Sequence, residues 1–204
     1  MHPAATFHEG EAEQMLAHLA RHPFVTLAAA PDGRLAIAHA PVVVRRLAGG
    51  LALDFHLARS NLLAPALAQG FRAVAISLAA DSYISPDWYG TADQVPTWNY
   101  VTVEAEGPVT AMDGAGLVAL LDDLSAQEEA RLAPKRPWTR AKMSPGRFEA
   151  MARAIIGARL TVERLEGTTK LGQNKTAAER AGVIAALGDL PIAVLMAATI
   201  PPGA

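Results

Sequence analysis

Phe24-Val25-Thr26-Leu27-Ala28, Pro31-Asp32-Gly33, Leu35 to Arg45, Gly49-Gly50 and Leu51 to Leu57 follow one another without a helical interruption. The three apolar runs have strand composition, and the two short punctuations between them are turns. Pro31 presets φ, and Gly33 accepts a positive φ. Leu35 to Arg45 reads as the return strand, Gly49-Gly50 as a second turn, and Leu51 to Leu57 as a third strand. The stretch is therefore an antiparallel meander. Upstream, Thr6 and Glu9 have capping-box spacing, Phe7 can staple the chain, and Met15, Leu16, Leu19 and Ala20 form a helical face that His22-Pro23 ends. Downstream, Ser60 or Asn61 can cap a short helix over Leu62 to Gln69, closed by Gly70, before a fourth strand over Phe71 to Ala79.

Residues 83–97 read as irregular. Trp98 to Met112 reads as a long strand in which Gly107-Pro108 marks a bulge or an edge. Asp113 can cap a helix through Leu132, with Leu117, Leu120, Leu121 and Leu124 on one face. Ser144-Pro145 suits the start of another helix, through Ala154. Ile156 to Leu165 reads as the last barrel strand, and Thr176 can cap Ala177 to Leu187. The expected fold is α+β: an antiparallel barrel with peripheral helices, over 1–188, with an apolar extension over 189–204 packed on the body or on a partner. Parallel strand–helix repetition and a Gly-rich dinucleotide fingerprint are both missing, which disfavours a Rossmann domain.

The chain has 204 residues, 51% of them hydrophobic and 19% charged, with a formal net charge of −2. Such a composition folds, and it does not suit a surface that grips nucleic acid everywhere. With no cysteine, disulfides, thiolate metal sites and a cysteine nucleophile are excluded. The apolar run Ile192 to Ile200 is far shorter than the roughly 20 residues of a membrane span, and a cytoplasmic protein is expected.

Several features could carry chemistry. All three tyrosines and two of the three tryptophans fall at Tyr83, Trp88, Tyr89, Trp98 and Tyr100. They read either as a pocket for a planar heteroaromatic ligand or as an aromatic core. His56-Leu57-Ala58-Arg59-Ser60-Asn61, at a strand-to-helix junction, suits a phosphate or is an ordinary cap. Lys170-Leu171-Gly172-Gln173-Asn174-Lys175 is an anion or ring-edge loop, or simply a polar loop. His39, in Ala38-His39-Ala40-Pro41, is catalytic or structural. His18 and His22 have zinc-ligand spacing, but nothing in the sequence completes a metal site. The stretch from Arg131 to Arg147 carries six basic residues, no acid, and Trp138, so it reads as a DNA contact or a solvated loop.

Tyr83-Ile84-Ser85-Pro86-Asp87-Trp88-Tyr89, Val95-Pro96-Thr97-Trp98-Asn99-Tyr100 and Lys170-Leu171-Gly172-Gln173-Asn174-Lys175 together strongly resemble the PaiB family, described as FMN-binding negative transcriptional regulators. Phe24 to Leu27, Ala38-His39-Ala40-Pro41 and His56 to Asn61 support the match. The resemblance implies the split β-barrel of flavin reductases and pyridoxamine-phosphate oxidases, and a homodimer with FMN at the subunit interface. By position, Arg59, Ser60 and Asn61 would take the phosphate. His39 and Thr26 would lie near the flavin, Trp98, Asn99 and Tyr100 would approach its rings, and Lys170, Gln173 and Asn174 would close on it. Gly172 stands where the family usually has serine, and Thr168 and Thr169 replace a lysine or aromatic residue. A flavin-dependent transcriptional regulator, touching DNA through Arg131 to Arg147, is the first expectation. A flavin-dependent oxidoreductase using Tyr100, His39 or Lys170 is the alternative, and a barrel that has lost FMN is a third.

Overall fold

The computed structural model describes residues 2–199. In chain order the elements are β1 (His8–Glu9), α1 (Ala12–Arg21), β2 (Phe24–Ala29), β3 (Ala36–Pro41), β4 (Val43–Leu47), β5 (Gly50–Ala58), β6 (Phe71–Ile84), β7 (Thr97–Ala111), α2 (Gly114–Ala130), α3 (Arg147–Ala152), β8 (Ile155–Val162), β9 (Arg164–Lys170), α4 (Ala177–Leu187) and α5 (Pro191–Ala198). The chain forms two compact units.

The larger unit comprises 19–77 and 104–165. Its strands run β3-β2-β6-β7-β8-β5-β4, and each pair whose register is defined is antiparallel. Leu27, Leu53, Phe55, Leu120 and Leu160 are almost fully buried in it. Asp113 accepts from the Gly116 N–H at 2.7 Å and caps α2, as its position predicts. The smaller unit comprises 1–18, 78–103 and 166–204. There Ile84, Tyr89 and Leu171 pack with Val183 and Leu187 of α4 and with Ile192 and Met196 of α5. Thr176 and Glu179 complete a capping box at the head of α4. The expected C-terminal extension forms α5 as far as Ala198, and its residues 200–204 lie outside the described ones.

Several boundaries differ from the sequence reading. The return strand over 35–45 is two strands. Pro41 has no N–H to donate, and the Val42 N–H leaves the ladder for the Pro23 carbonyl at 2.9 Å. The Thr6–Glu9 capping box does not form. His8 and Glu9 instead pair with Thr168 and Gly167 of β9, and the Glu9 carboxylate accepts from Glu11 N. The helix expected over 62–69 shrinks to a 3-10 turn at Pro65–Ala68. β6 continues through Ile84, so Tyr83 belongs to a strand. Ser144-Pro145 does not start a helix: the Ser144 carbonyl accepts from Arg147 N, and Gly146 at φ 74° caps a short α3. The last barrel strand is two strands, because the Glu163 N–H turns to the Glu106 carbonyl at 2.9 Å between β8 and β9.

Gly107 does not break β7. Its missing Cβ lets the neighbouring strand close in: a Cβ there would lie 1.8 Å from the Thr161 carbonyl oxygen. That atom is backbone and cannot swing away. Gly107→Ala should therefore destabilise the protein by at least about 2 kcal/mol, measured by urea unfolding. Gly114→Ala meets nothing within 4 Å and should unfold near the wild-type midpoint.

Candidate functional site

In the larger unit, β5 delivers the chain to Arg59. The Arg59 N–H donates to the Ala154 carbonyl at 2.9 Å. Its side-chain Nε donates to the Arg153 carbonyl, also at 2.9 Å. The Nε bond orients the guanidinium, and among the described residues neither Nη group has a partner. Ser60 is exposed, and its hydroxyl has no partner among the described residues. Asn61 uses its carboxamide oxygen to accept from Leu63 N at 2.9 Å, which turns the chain and leaves its NH2 free. An oriented guanidinium fork, a free hydroxyl and a free carboxamide NH2 on three successive residues form a donor set that fits a phosphate monoester.

His39 and Thr26 sit opposite each other on β3 and β2. Their side chains meet, Oγ1 to Nδ1 at 3.2 Å. The Phe24 ring stacks beside the His39 ring, with centroids 6.3 Å apart. On the same face Phe24 is 68% exposed and Ile37 49%. The Thr26–His39 pair is thus flanked by exposed apolar side chains.

One buried group of the larger unit, Asp54, escaped the sequence reading. Asp54, 1% exposed, accepts from Arg45 Nε at 2.9 Å and from Arg159 Nε and Nη2 at 2.6 and 2.8 Å. Only the pairing of Asp54 with Arg159 and Val43 reveals the cluster, and nothing local signals it. His56 lies two residues further along β5, and its buried Nδ1 has no partner.

In the smaller unit the aromatic residues divide. Tyr89 is buried and Trp88 packs against the same core, whereas Tyr83 and Trp98 are exposed and meet edge to face at 6.3 Å. They do not all line one pocket: the 3-10 turn Pro86–Tyr89 carries Trp88 and Tyr89 to the core, whereas Trp98 and Tyr100 share the face of their strand opposite the buried Asn99. Asn99 likewise points inward, 2% exposed, with its NH2 3.4 Å from Met196 Sδ. Tyr100 is half-buried. Lys170 Nζ donates to the Trp98 carbonyl at 2.8 Å and to the Thr97 hydroxyl, and burial lowers its pKa. Gln173 staples its own turn, accepting from Leu171 N and donating to the Thr169 carbonyl. Asn174 is exposed. Gly172 sits at φ 75°, which explains a glycine here: a left-handed backbone disfavours any side chain. Lys175, outside the expected set, lies 4.7 Å from the Tyr89 ring centroid and donates to Gln94.

Residues 1–164 match the family model described as "Putative FMN-binding domain". The chain belongs to this PaiB-like FMN-binding family. FMN is the cofactor of that family, and the Arg59-Ser60-Asn61 donors fit its phosphate. Over 103 residues the chain is 30% identical to Protease synthase and sporulation protein PAI 2 of Bacillus subtilis, covering 50% of this chain and 48% of that protein. Over 120 residues it is 32% identical to an uncharacterized protein of Aspergillus fumigatus, covering 50% and 46%. The chain thus spans about half the length of the curated relatives it matches. The FAD and heme binding protein of Mycobacterium smegmatis shares its fold, with TM-score 0.58, 20% identity, and 89% and 80% of the two chains covered. So does the flavocytochrome Anf3 of Azotobacter vinelandii, with TM-score 0.58, 16% identity, and 89% and 78% covered. These likenesses establish the split-barrel flavoprotein fold. No described helix is long and apolar enough to cross a membrane.

Burial holds the His56 imidazole below its ordinary pKa, so the folded protein keeps it neutral while the unfolded chain takes up a proton near pH 6.5. Stability should fall as pH drops below about 6.5. His22 is lowered as well, by burial first and then by Arg21 and Arg131. His56→Leu should therefore flatten the loss between pH 7.5 and 5.5 without abolishing it, as read by urea unfolding at both pH values.

Proposed function

We propose that the protein is a homodimeric, cytoplasmic flavoprotein that uses bound FMN to regulate transcription. The observation that carries the cofactor half is the Arg59 guanidinium. It is oriented by the Arg153 carbonyl and keeps both Nη groups for a phosphate, beside the unpaired Ser60 hydroxyl. The Asn61 NH2 completes the cradle. Bound FMN supplies one- and two-electron chemistry. This chain supplies phosphate donors, an apolar platform at Phe24 and Ile37, and the Thr26–His39 pair at its polar edge. Trp98, Tyr100, Lys170 and Asn174 keep groups that a ring edge can use. Asn99 and Gln173 support the reading indirectly, through the packing of Trp98–Tyr100 and the turn after Lys170.

The exposed Phe24, Leu35 and Ile37 support a dimer, since so much contiguous apolar surface favours a covering copy. The family resemblance supports a regulatory role. Direct DNA contact through 131–147 would fall to Arg136 and Arg147, the two cations of that segment whose side chains have no partner among the described residues. Two free charges per chain imply a salt slope of only about −2 per chain.

Lys170 favours the alternative, an oxidoreductase. A desolvated ammonium held by the Thr97 hydroxyl and the Trp98 carbonyl is a plausible proton donor.

Two experiments test these readings. FMN titrated into the apo-protein, followed by flavin fluorescence, should bind with micromolar or tighter affinity. Arg59→Ala should weaken it at least tenfold, about 1.4 kcal/mol; unchanged affinity would remove the phosphate assignment. Stopped-flow mixing of the holoprotein with NADH or NADPH should reduce bound FMN no faster than free FMN if the role is regulatory. A clear acceleration, lost in Lys170→Met, would establish the enzyme instead.

A further inference from the structure

Glu129 of α2 folds the basic segment back on itself. Its carboxylate accepts from the Trp138 N–H at 2.8 Å and from Lys135 Nζ. The Trp138 ring is thereby set beside α2, across from α3. Between them lies a cavity of about 320 Å3, within the size range of small-molecule sites. Leu121, Trp138, Met143, Phe148, Met151 and Ile155 form its apolar wall. None of the six is fully buried, and Trp138 and Met151 are 38% and 54% exposed. Two methionines and two aromatic rings make an adaptable wall that suits a flat ring system.

The polar rim is Asp122, Ser125 and Arg140. Arg140 Nε pairs with Asp122 at 3.0 Å, which neutralises that carboxylate. The Arg140 guanidinium lies over the Phe148 ring at 5.1 Å, and among the described residues its Nη groups have no hydrogen-bond partner. The Ser125 hydroxyl has no partner among the described residues. Nearby in sequence, Arg136 and Arg147 are exposed and their side chains have no partner among the described residues, whereas Lys142 donates to the Pro137 carbonyl.

We propose that this cavity binds a small aromatic anion, a carboxylate or sulfonate on a fused or linked ring system, with the rings against Trp138 and Met151 and the anion on Arg140 and Ser125. Neither the FMN phosphate donors nor the Thr26–His39 face contributes a residue, so the inference stands apart from the cofactor reading.

The test uses the full-length holoprotein and two fluorescent probes, anilinonaphthalene sulfonate and its neutral relative N-phenyl-1-naphthylamine. The sulfonate should bind saturably, one per chain, and 2-naphthoate should displace it. Met151→Trp fills the cavity from an exposed position and should weaken both probes at least tenfold. Arg140→Gln should weaken the sulfonate at least threefold and spare the neutral probe. Thermal melting and the flavin spectrum of each variant check that it is folded. Wild-type sulfonate affinity in a folded Met151→Trp would overturn the site. Equal loss of both probes in Arg140→Gln would overturn the anionic class. An affinity that falls as protein concentration rises would mean that a second copy covers the cavity, and would overturn the proposal too.

Discussion

Asp54 is a carboxylate withdrawn from water in the middle of a strand, and the larger unit is arranged around keeping it paired. An unpaired buried carboxylate is strongly destabilising; one met on both sides by guanidinium groups is tolerated. Arg159 reaches it from β8, directly opposite. Arg45 reaches it from β4 and also grips Asp123 on α2 at 2.6 Å. Three strands and a helix are thus tied to one side chain. Sliding β5 by a single residue would turn Asp54 to the other face and strand both arginines. Register is what the cluster specifies, and β5's register decides where the phosphate donors emerge.

From that register the donor geometry follows. Ala58 pairs with Ile155 at the end of β5, so the next residue meets the turn that leads out of α3. The Arg59 N–H and Nε therefore find the Ala154 and Arg153 carbonyls. A guanidinium fixed by one carbonyl loses less freedom when its remaining fork binds a phosphate. Asn61 then turns the chain away, and Leu63 and Leu67 enter the core. The candidate cradle is thus the turn that directly follows β5.

Elements with a local signature were legible in the sequence. Asp113 before α2 and Thr176 before α4 are caps whose geometry is set within three residues, and both form. The Pro31-Asp32-Gly33 turn leaves Gly33 at φ 76°, as its composition requires. Elements decided by distant partners were not legible. The Thr6–Glu9 spacing suits a capping box, but β9 offers His8 and Glu9 a strand to pair with, and pairing wins. Gly107-Pro108 looks like an interruption only until Thr161 is known to press against it. The aromatic density at 83–100 was visible, but not its division into core and surface, because that depends on which face of each strand is covered. Asp54 was invisible for the same reason: its partners are named by register alone.

The basic segment from Arg131 to Arg147 shows how far charge counting can mislead. Six cations without an acid read as a nucleic-acid patch. In the fold most of that charge is already committed. Arg131 donates to the Ala20 and Arg21 carbonyls and pairs with Glu128. Lys135 is held by Glu129, and Arg140 by Asp122. The acids that answer these cations lie on α2, before the segment begins, so a window over 131–147 never sees them. Pairing also bends the segment, and the bend carries Trp138 toward α2 and Met151. What the sequence presents as an electrostatic stripe becomes part of the wall of a small apolar cavity, with Arg140 at its rim. Charge drawn into holding a loop is charge removed from a phosphate backbone, and the cavity is what the loop encloses in exchange.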